Sequence, residues 1–240
     1  MDYAKAITFV FQDKDWLATI LIGGGISLLG LFFFWTIIGP ILASAVVTGY
    51  MMQLIRDVYK DPDAPLPAWD NWGKKMTDGL KLVIAQFIWG LPFFILLIPF
   101  FASMFLPVFF PDSDTAALLF AVGYIAFICL SSLYSIFFMI IHPAITINLT
   151  IHDDFGKAFD FSEIFQIIKE HLGEVLIVAL LVLGVSYFAN MVGMLLLLVG
   201  MFFTSFWVML VRGHLYGQLA RLVFPASEQP ATPLIPTTAE

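Results

Sequence analysis

The chain of 240 residues is 60% apolar and 12% charged, with a formal net charge of −7. A soluble domain carries about twice that share of charge, so the composition excludes a soluble globular protein, a disordered chain and a nucleic-acid binder. An integral membrane protein is the class that is left.

Charged residues are missing from four long stretches of the chain, which are residues 16–55, 82–111, 115–152 and 175–211. A spanning helix needs about 20 apolar residues, and a charge at mid-membrane costs about 2.5–3.5 kcal/mol. The first and last stretches are long enough for a helical hairpin each, and the other two predict one span each. We therefore predict an all-α, polytopic transmembrane helical bundle, a single domain over residues 1–224, with about six spans: about 17–37, 41–59, 79–100, 116–141, 174–190 and 194–213.

Turn-forming residues mark the breaks between these spans. Gly39-Pro40 is expected to separate the first two spans, Asp112-Ser113-Asp114 the third and fourth, and Asn190-Met191-Val192-Gly193 the last two. Four prolines interrupt the third stretch and predict a kinked helix there: Pro92, Pro99, Pro107 and Pro111.

Short amphipathic helices are predicted on one face of the membrane. Residues 2–12 and 161–172 place apolar side chains at helical spacing, with polar side chains opposite. Asp160 stands at capping-box spacing before Glu163. Residues 213–224 extend the last span, and the proline-rich residues 225–240 are predicted to form a disordered tail.

The eleven basic residues predict the orientation. With six spans, all of them fall on the face that carries both termini or at its boundary, whereas the opposite face holds only Asp112 and Asp114. The positive-inside rule then places both termini in the cytoplasm and the protein in the cytoplasmic membrane. A re-entrant hairpin would change the span count without changing this charge map, so that alternative stays open.

The most distinctive segment is residues 61–81, in which three prolines hold a stiff, extended path. Its tryptophans are typical headgroup-level anchors, and Asp70 or Asn71 is a candidate cap for the following helix. One interpretation is an ordered loop that fixes the second and third spans at the interface. The functional interpretation is a cytoplasmic docking surface for a partner protein or a lipid headgroup, with these candidate residues: Pro65, Pro67, Trp69, Asp70 and Trp72.

Several motifs resemble a membrane family known as domain of unknown function 4013. They include Phe11-x-Asp13-x-Asp15-Trp16, Gly49-Tyr50 and, most specifically, Pro65-Leu66-Pro67-x-Trp69-x-x-Trp72-Gly73 leading to Gly79-Leu80-Lys81. Asn71 and Met76 depart from the usual Asp and Phe. The resemblance covers most of residues 3–224 and implies a prokaryotic multi-pass membrane protein without an assigned activity. It supplies no site residues.

No arrangement of side chains points to catalysis or metal binding. The four histidines lack the spacing of a metal site, and Cys129 stands alone. We therefore expect no catalytic residues, no cofactor, no metal and no enzyme activity. Small residues at Gly23-Gly24-Gly25, Gly30 and Ala45-x-x-x-Gly49 predict close helix packing instead.

The charge-free interior argues against ion-coupled transport, which usually needs ionisable residues at depth. The favoured function is a scaffold or accessory subunit of the cytoplasmic membrane, in contact with membrane lipids and an unidentified membrane protein partner, and without a nucleic-acid partner. The alternative is a passive or lipid/small-solute transporter with a cavity between its hairpins.

Overall fold

The computed structural model describes residues 1–196 and 199–225, and the regular structure in that part of the chain is helical. Its helices are α1 Tyr3–Thr8, α2 Trp16–Phe32, α3 Ile38–Lys60, α4 Trp72–Phe109, α5 Asp114–His152, α6 Phe161–Glu170, α7 Leu172–Leu195 and α8 Gly200–Val223. Short 3₁₀ turns occupy Phe9–Gln12, Phe34–Thr36 and Phe155–Phe159. The all-α prediction is confirmed. The predicted tail beyond Pro225 lies outside the described residues, and the single domain stays a prediction.

The number of helices suited to crossing a membrane is smaller than the six predicted spans. In the described part, α3, α4, α5 and α7 are long and apolar enough, and a fifth span results if Tyr3–Gln12 and α2, bent by 97°, count as one. Helix α2 has only 17 residues, and α8 contains two arginines and a histidine. Several apolar helices are thus established, and six spans are not confirmed.

Three antiparallel hairpins, α2/α3, α4/α5 and α7/α8, build the bundle, and α3 contacts α2, α4, α5 and α8. The first break falls at residues 33–37 rather than at Gly39-Pro40, which lies inside α3. Pro40 stands in the first turn of that helix, as expected, where a missing N–H costs little. The second break is confirmed, because the Ser113 hydroxyl caps α5 by accepting from the Ala116 amide at 3.3 Å.

The predicted break at Asn190–Gly193 is wrong. Helix α7 continues to Leu195, so the helices in the region of the last two predicted spans are Leu172–Leu195 and Gly200–Val223. Asn190 fits within the helix because its Nδ2 donates to the Ser186 carbonyl at 2.9 Å. Gly193 lies against α8, where it permits a close approach of the two helices rather than a turn.

Helices α4 and α5 are much longer than the predicted spans 79–100 and 116–141. They have 38 and 39 residues, and α4 passes through Pro92, Pro99 and Pro107 without ending. At about 1.5 Å per residue each is roughly 57 Å long, nearly twice the hydrocarbon thickness of a bilayer. The predicted span 79–100 is therefore only the middle portion of α4, and the predicted span 116–141 lacks the last eleven residues of α5.

The packed core lies at one end of the bundle, where α3, α5 and α8 finish and α2, α4 and α7 begin; we call this the charged end. The most buried apolar side chains of these helices cluster there: Met52, Ile55, Leu82, Ile145, Leu149, Val175, Leu215 and Leu219. Farther from the charged end, only 6% of the residues in the most apolar stretch of α4, and likewise of α5, are buried. That hairpin presents a long apolar surface outside the core.

Glycines set the closest helix approaches, as predicted for most of the small-residue patches. A Cβ at Gly49 would lie 1.8 Å from the Lys75 carbonyl oxygen, and one at Gly79 would lie 1.7 Å from that of Ala45. Gly23, Gly24 and Gly30 are similarly crowded by neighbouring helices, whereas Gly25 has nothing within 4 Å. Glycine is required wherever two helix backbones come this close.

Candidate functional site

The proline–tryptophan loop, residues 61–71, folds back onto the charged end. The buried Tyr50 hydroxyl of α3 donates to the Pro67 carbonyl at 2.6 Å. The Trp69 indole stacks on Tyr50, with ring centroids 4.3 Å apart, and on Phe206 of α8 at 5.9 Å. Trp69 Nε1 is buried without a partner in the described part of the chain, so stacking rather than hydrogen bonding holds this ring.

A buried lysine fixes the end of this loop. Lys75, in the first turns of α4, is 2% exposed and donates through Nζ to the Asp70 carbonyl at 2.6 Å and to Asp70 Oδ1 at 3.0 Å. Its Nζ also lies 6.0 Å from the centre of the Tyr50 ring. The loop turns into α4 through Asn71, which has a left-handed backbone with φ of 46°. Asn71 caps α4 without a side-chain hydrogen bond.

The five predicted docking residues divide into two groups. Pro67 is buried and Trp69 is half-buried, and both serve contacts within the chain. Pro65 is exposed, Asp70 is largely exposed despite its bond to Lys75, and Trp72 is 47% exposed beside Trp69. The loop is therefore ordered, with Pro65 and Asp70 on its outer face and Trp72 exposed beside it at the start of α4. Its use as a docking surface stays a prediction.

The N-terminal segment supports the same loop. Asp13 accepts from the Leu66 amide at 3.1 Å and from the Asp15 amide at 2.8 Å. Lys5 pairs with Asp63. Between the two segments lies a groove of about 490 Å³, which Pro65 also lines. Asp13 belongs to the Phe11-x-Asp13-x-Asp15-Trp16 motif, and its contact with Leu66 joins that motif to the loop.

A network of charges joins α3, α4 and α5 at the charged end. Asp78 accepts from Arg56 Nη1 at 2.5 Å and lies 3.2 Å from Lys74 Nζ. Asp153 lies 2.9 Å from Lys81 Nζ and 3.5 Å from both Arg56 and Lys74. The Asp78 side chain is only 4% exposed. The sequence gives no local signal for this network, because its members are separated by up to 97 positions.

Asp153 ends α5 with a left-handed backbone, φ 51°, a conformation that aspartate tolerates better than most residues. Partial burial raises the pKa of its carboxyl, but the hydrogen bond from Lys81 and the charges of Arg56 and Lys74 outweigh it, so the pKa is lowered overall. The carboxylate thus stays ionised at neutral pH and holds the three helix ends together.

Helix α6 also packs at the charged end. Asp160 accepts from the Glu163 amide at 3.2 Å, which confirms the predicted cap. Ile164 is buried in the core, whereas Phe161 and Phe165 are about half exposed. The apolar side chains predicted to form one stripe on α6 are therefore partly buried in the core and partly exposed at the surface. Whether α6 lies on a membrane stays a prediction.

A buried polar chain connects α4, α5 and α8. His142 Nε2 lies 3.0 Å from Gln86 Nε2, and His142 Nδ1 lies 2.9 Å from the Tyr216 hydroxyl. The three polar groups are hydrogen-bond partners of one another at the place where α4, α5 and α8 meet, and this fixes how the helices pack. In the described residues no group of three or more His, Cys, Asp or Glu side chains is arranged to hold a metal ion.

The fold and its charged end define an all-α protein with several helices suited to a membrane. The chain belongs to the family described as Protein of unknown function (DUF4013), whose model matches residues 31–199. The match contains α3 to α7, with the proline–tryptophan loop, and the motifs before residue 31 lie outside it. No curated protein and no solved structure matches the chain.

Proposed function

We propose that the protein is a six-span protein of the cytoplasmic membrane that works as a scaffold or accessory subunit, without enzyme activity of its own. It contacts membrane lipids and an unidentified membrane protein partner, and both termini lie in the cytoplasm. The observation that carries the proposal is the proline–tryptophan loop, which is held by contacts within the chain and presents Pro65 outward beside the exposed Trp72 of α4.

An anchored loop of this kind suits partner binding. Tryptophan is enriched among the residues that dominate interface energies. A surface that is already ordered loses less conformational entropy when a partner binds. Exposed Phe161 and Phe165 lie at the same end of the bundle and would extend the apolar contact.

Two neighbouring tryptophans provide a matched test. We expect Trp72→Ala to leave the thermal unfolding midpoint nearly unchanged but to abolish recovery of a stoichiometric partner in native mass spectrometry after mild detergent extraction. Trp69→Ala removes the stack on Tyr50 and Phe206, and we expect it to lower the free energy of unfolding by roughly 2 kcal/mol or more. Recovery of the wild-type chain alone from native membranes would contradict the scaffold role.

The span count has its own test in a Cys129→Ala background. With six spans, cysteines placed at Trp35, which is 91% exposed at the α2/α3 tip, and at Asp112 react with a membrane-impermeant maleimide in intact cells. A cysteine at Glu170 reacts only after permeabilisation. Labelling at Asp112 but not at Trp35 would show that α2/α3 is re-entrant, and labelling at Glu170 in intact cells would overturn the orientation.

A cavity between two hairpins favours the second candidate, a passive or lipid/small-solute transporter. The cavity has a volume of about 360 Å³ and lies between α2, α3, α7 and α8. The same native mass spectra separate the two candidates, because a scaffold retains a protein chain and a carrier retains a lipid or solute.

A further inference from the structure

Arg212 differs from the other arginines of the chain. The sequence contains three, Arg56, Arg212 and Arg221. Arg56 pairs with Asp78, and Arg221 donates to two carbonyls at the end of α3, each at 3.1 Å. Arg212 forms no hydrogen bond or ion pair with the residues that the structure describes, and its Nε is buried.

The position of Arg212 makes this isolation costly. Helix α8 continues for eleven residues beyond it, from Gly213 to Val223, so Arg212 stands in the middle of the helix rather than at its end. The sequence had indicated a boundary position after a charge-free stretch. Arg212 is partly exposed and only its Nε is enclosed, but a cation beside apolar helices is still stable only with a counter-charge or with water around it, because desolvation costs several kcal/mol.

Arg212, itself partly exposed, lines a cavity of about 360 Å³ between α2, α3, α7 and α8 that is partly open to the outside of the bundle. The other polar side chains of the lining are neutral, and the lining contains no Asp or Glu: Ser27, Ser186, Asn190 and Ser205. Ser27 and Ser186 donate their hydroxyl protons to carbonyls of their own helices, at 3.0 and 2.6 Å. The guanidinium is therefore the strong donor facing a space large enough for a small ligand.

A second cavity, of about 340 Å³, adjoins the first and shares Ser27 and Val47 with it. Its lining is mainly apolar and comes from α2, α3, α8 and the α2/α3 turn: Leu31, Phe34, Pro40, Ala43 and Phe202. An unpaired cation thus lies next to an apolar trough. That pairing matches a molecule with an anionic head and a hydrocarbon chain.

We propose that the two cavities form one binding site for an anionic amphiphile. Its phosphate or carboxylate head pairs with Arg212, whose planar guanidinium presents two N–H groups to two oxygens, and its chain lies in the apolar cavity. The proposal concerns binding alone. The binding site does not depend on the scaffold role. For the second candidate function, a transporter, the site indicates an anionic amphiphile as the molecule that is bound.

The test measures ligand-dependent thermal unfolding of the full chain, purified in detergent and stripped of lipid. The probes are phosphatidylglycerol, oleate, phosphatidylcholine and inorganic phosphate. We expect phosphatidylglycerol or oleate to raise the unfolding midpoint, and the stronger of the two identifies a phosphate or a carboxylate head. Phosphatidylcholine lacks the net negative charge and inorganic phosphate lacks the hydrocarbon chain, so neither should raise the unfolding midpoint.

Two substitutions examine the two halves of the site. Arg212→Gln should weaken the apparent affinity for the active amphiphile at least ten-fold. Ser44→Phe, at an exposed position that lines the apolar cavity, should weaken it similarly by filling the space for the chain. Lys169→Gln removes an exposed charge on α6 and should leave the apparent affinity for the amphiphile unchanged.

Three results would overturn the site. They are an equal shift with phosphatidylcholine, an equal shift with inorganic phosphate, and wild-type affinity in both Arg212→Gln and Ser44→Phe. If Arg212→Gln fails to fold, Ser44→Phe still decides, because it leaves the packed core untouched.

Discussion

Gly79→Ala is expected to destabilise the protein severely. The new Cβ would lie 1.7 Å from the Ala45 carbonyl oxygen, which belongs to the backbone of α3 and cannot move aside as a flexible side chain can. Helices α3 and α4 would have to separate at their crossing, which loosens the charged end and the loop anchored there. We expect a loss of about 2–3 kcal/mol, seen as a fall of roughly 4–10 °C in the unfolding midpoint.

Gly184→Ala is the matched control. Gly184 lies inside α7 with nothing within 4 Å of a Cβ, so the substitution should be neutral or stabilising by up to about 1 kcal/mol through helix propensity. Gly49→Ala should repeat the effect of Gly79→Ala, because its Cβ would meet the Lys75 carbonyl of the same crossing. Equal midpoints for Gly79→Ala and Gly184→Ala would contradict the close α3/α4 approach.

Asp78→Ala is expected to have a comparable or larger effect. The Asp78 carboxylate is almost fully buried and faces Arg56 and Lys74, so its removal leaves partly buried cations with Asp153 as the remaining acid of the network. Breaking a buried pair by removing one partner costs about 3–5 kcal/mol. The measurement is thermal or urea unfolding of the purified chain.

Asp63→Ala provides the comparison for Asp78→Ala. Asp63 also pairs with a lysine, Lys5, but its side chain is 82% exposed. The hydrogen bond from Lys5 lowers the pKa of the Asp63 carboxyl, yet exposed pairs contribute little to stability, so the midpoint should hardly move. A similar loss of stability in both variants would show that the contribution of Asp78 does not depend on its burial.

Acid should weaken the same network. The pKa of Asp153 is lowered in the folded chain, so its contribution is complete above the unfolded value of about 4 and is lost as the pH falls through the folded pKa. Asp153→Asn should therefore flatten the part of the stability profile that lies below about pH 4. Its side chain is about half exposed, and the effect should be smaller than that of Asp78→Ala.

Features that depend on local chemistry could be predicted from the sequence. Asp112-Ser113-Asp114 separates α4 from α5, Asp160 caps α6 and Pro40 stands in a first helical turn, because each follows from the backbone preferences of a few neighbouring residues. The same local rules failed at Asn190. That side chain forms its hydrogen bond within α7, so a polar residue in an apolar stretch did not mark a turn.

The order of the candidate loop could also be predicted, but the residues that hold it in place could not. The prolines and tryptophans of residues 61–72 indicated an ordered surface loop, and the structure confirms the order. The partners that hold it, Tyr50, Phe206 and Lys75, come from three helices. Gly49-Tyr50 was part of the family resemblance, which is the one sequence signal that could have pointed to Tyr50.

By itself, the sequence determined the all-α class of the protein, its apolar helices and the distribution of its charges, because hydropathy and charge spacing depend on each residue separately. Only the tertiary structure decided which of those residues meet. Arg56 reaches Asp78 and Asp153, whereas Arg212 reaches no carboxylate in the described part of the chain and instead faces a cavity. Both are basic residues after an apolar stretch, and the difference arises from the helices that pack beside them.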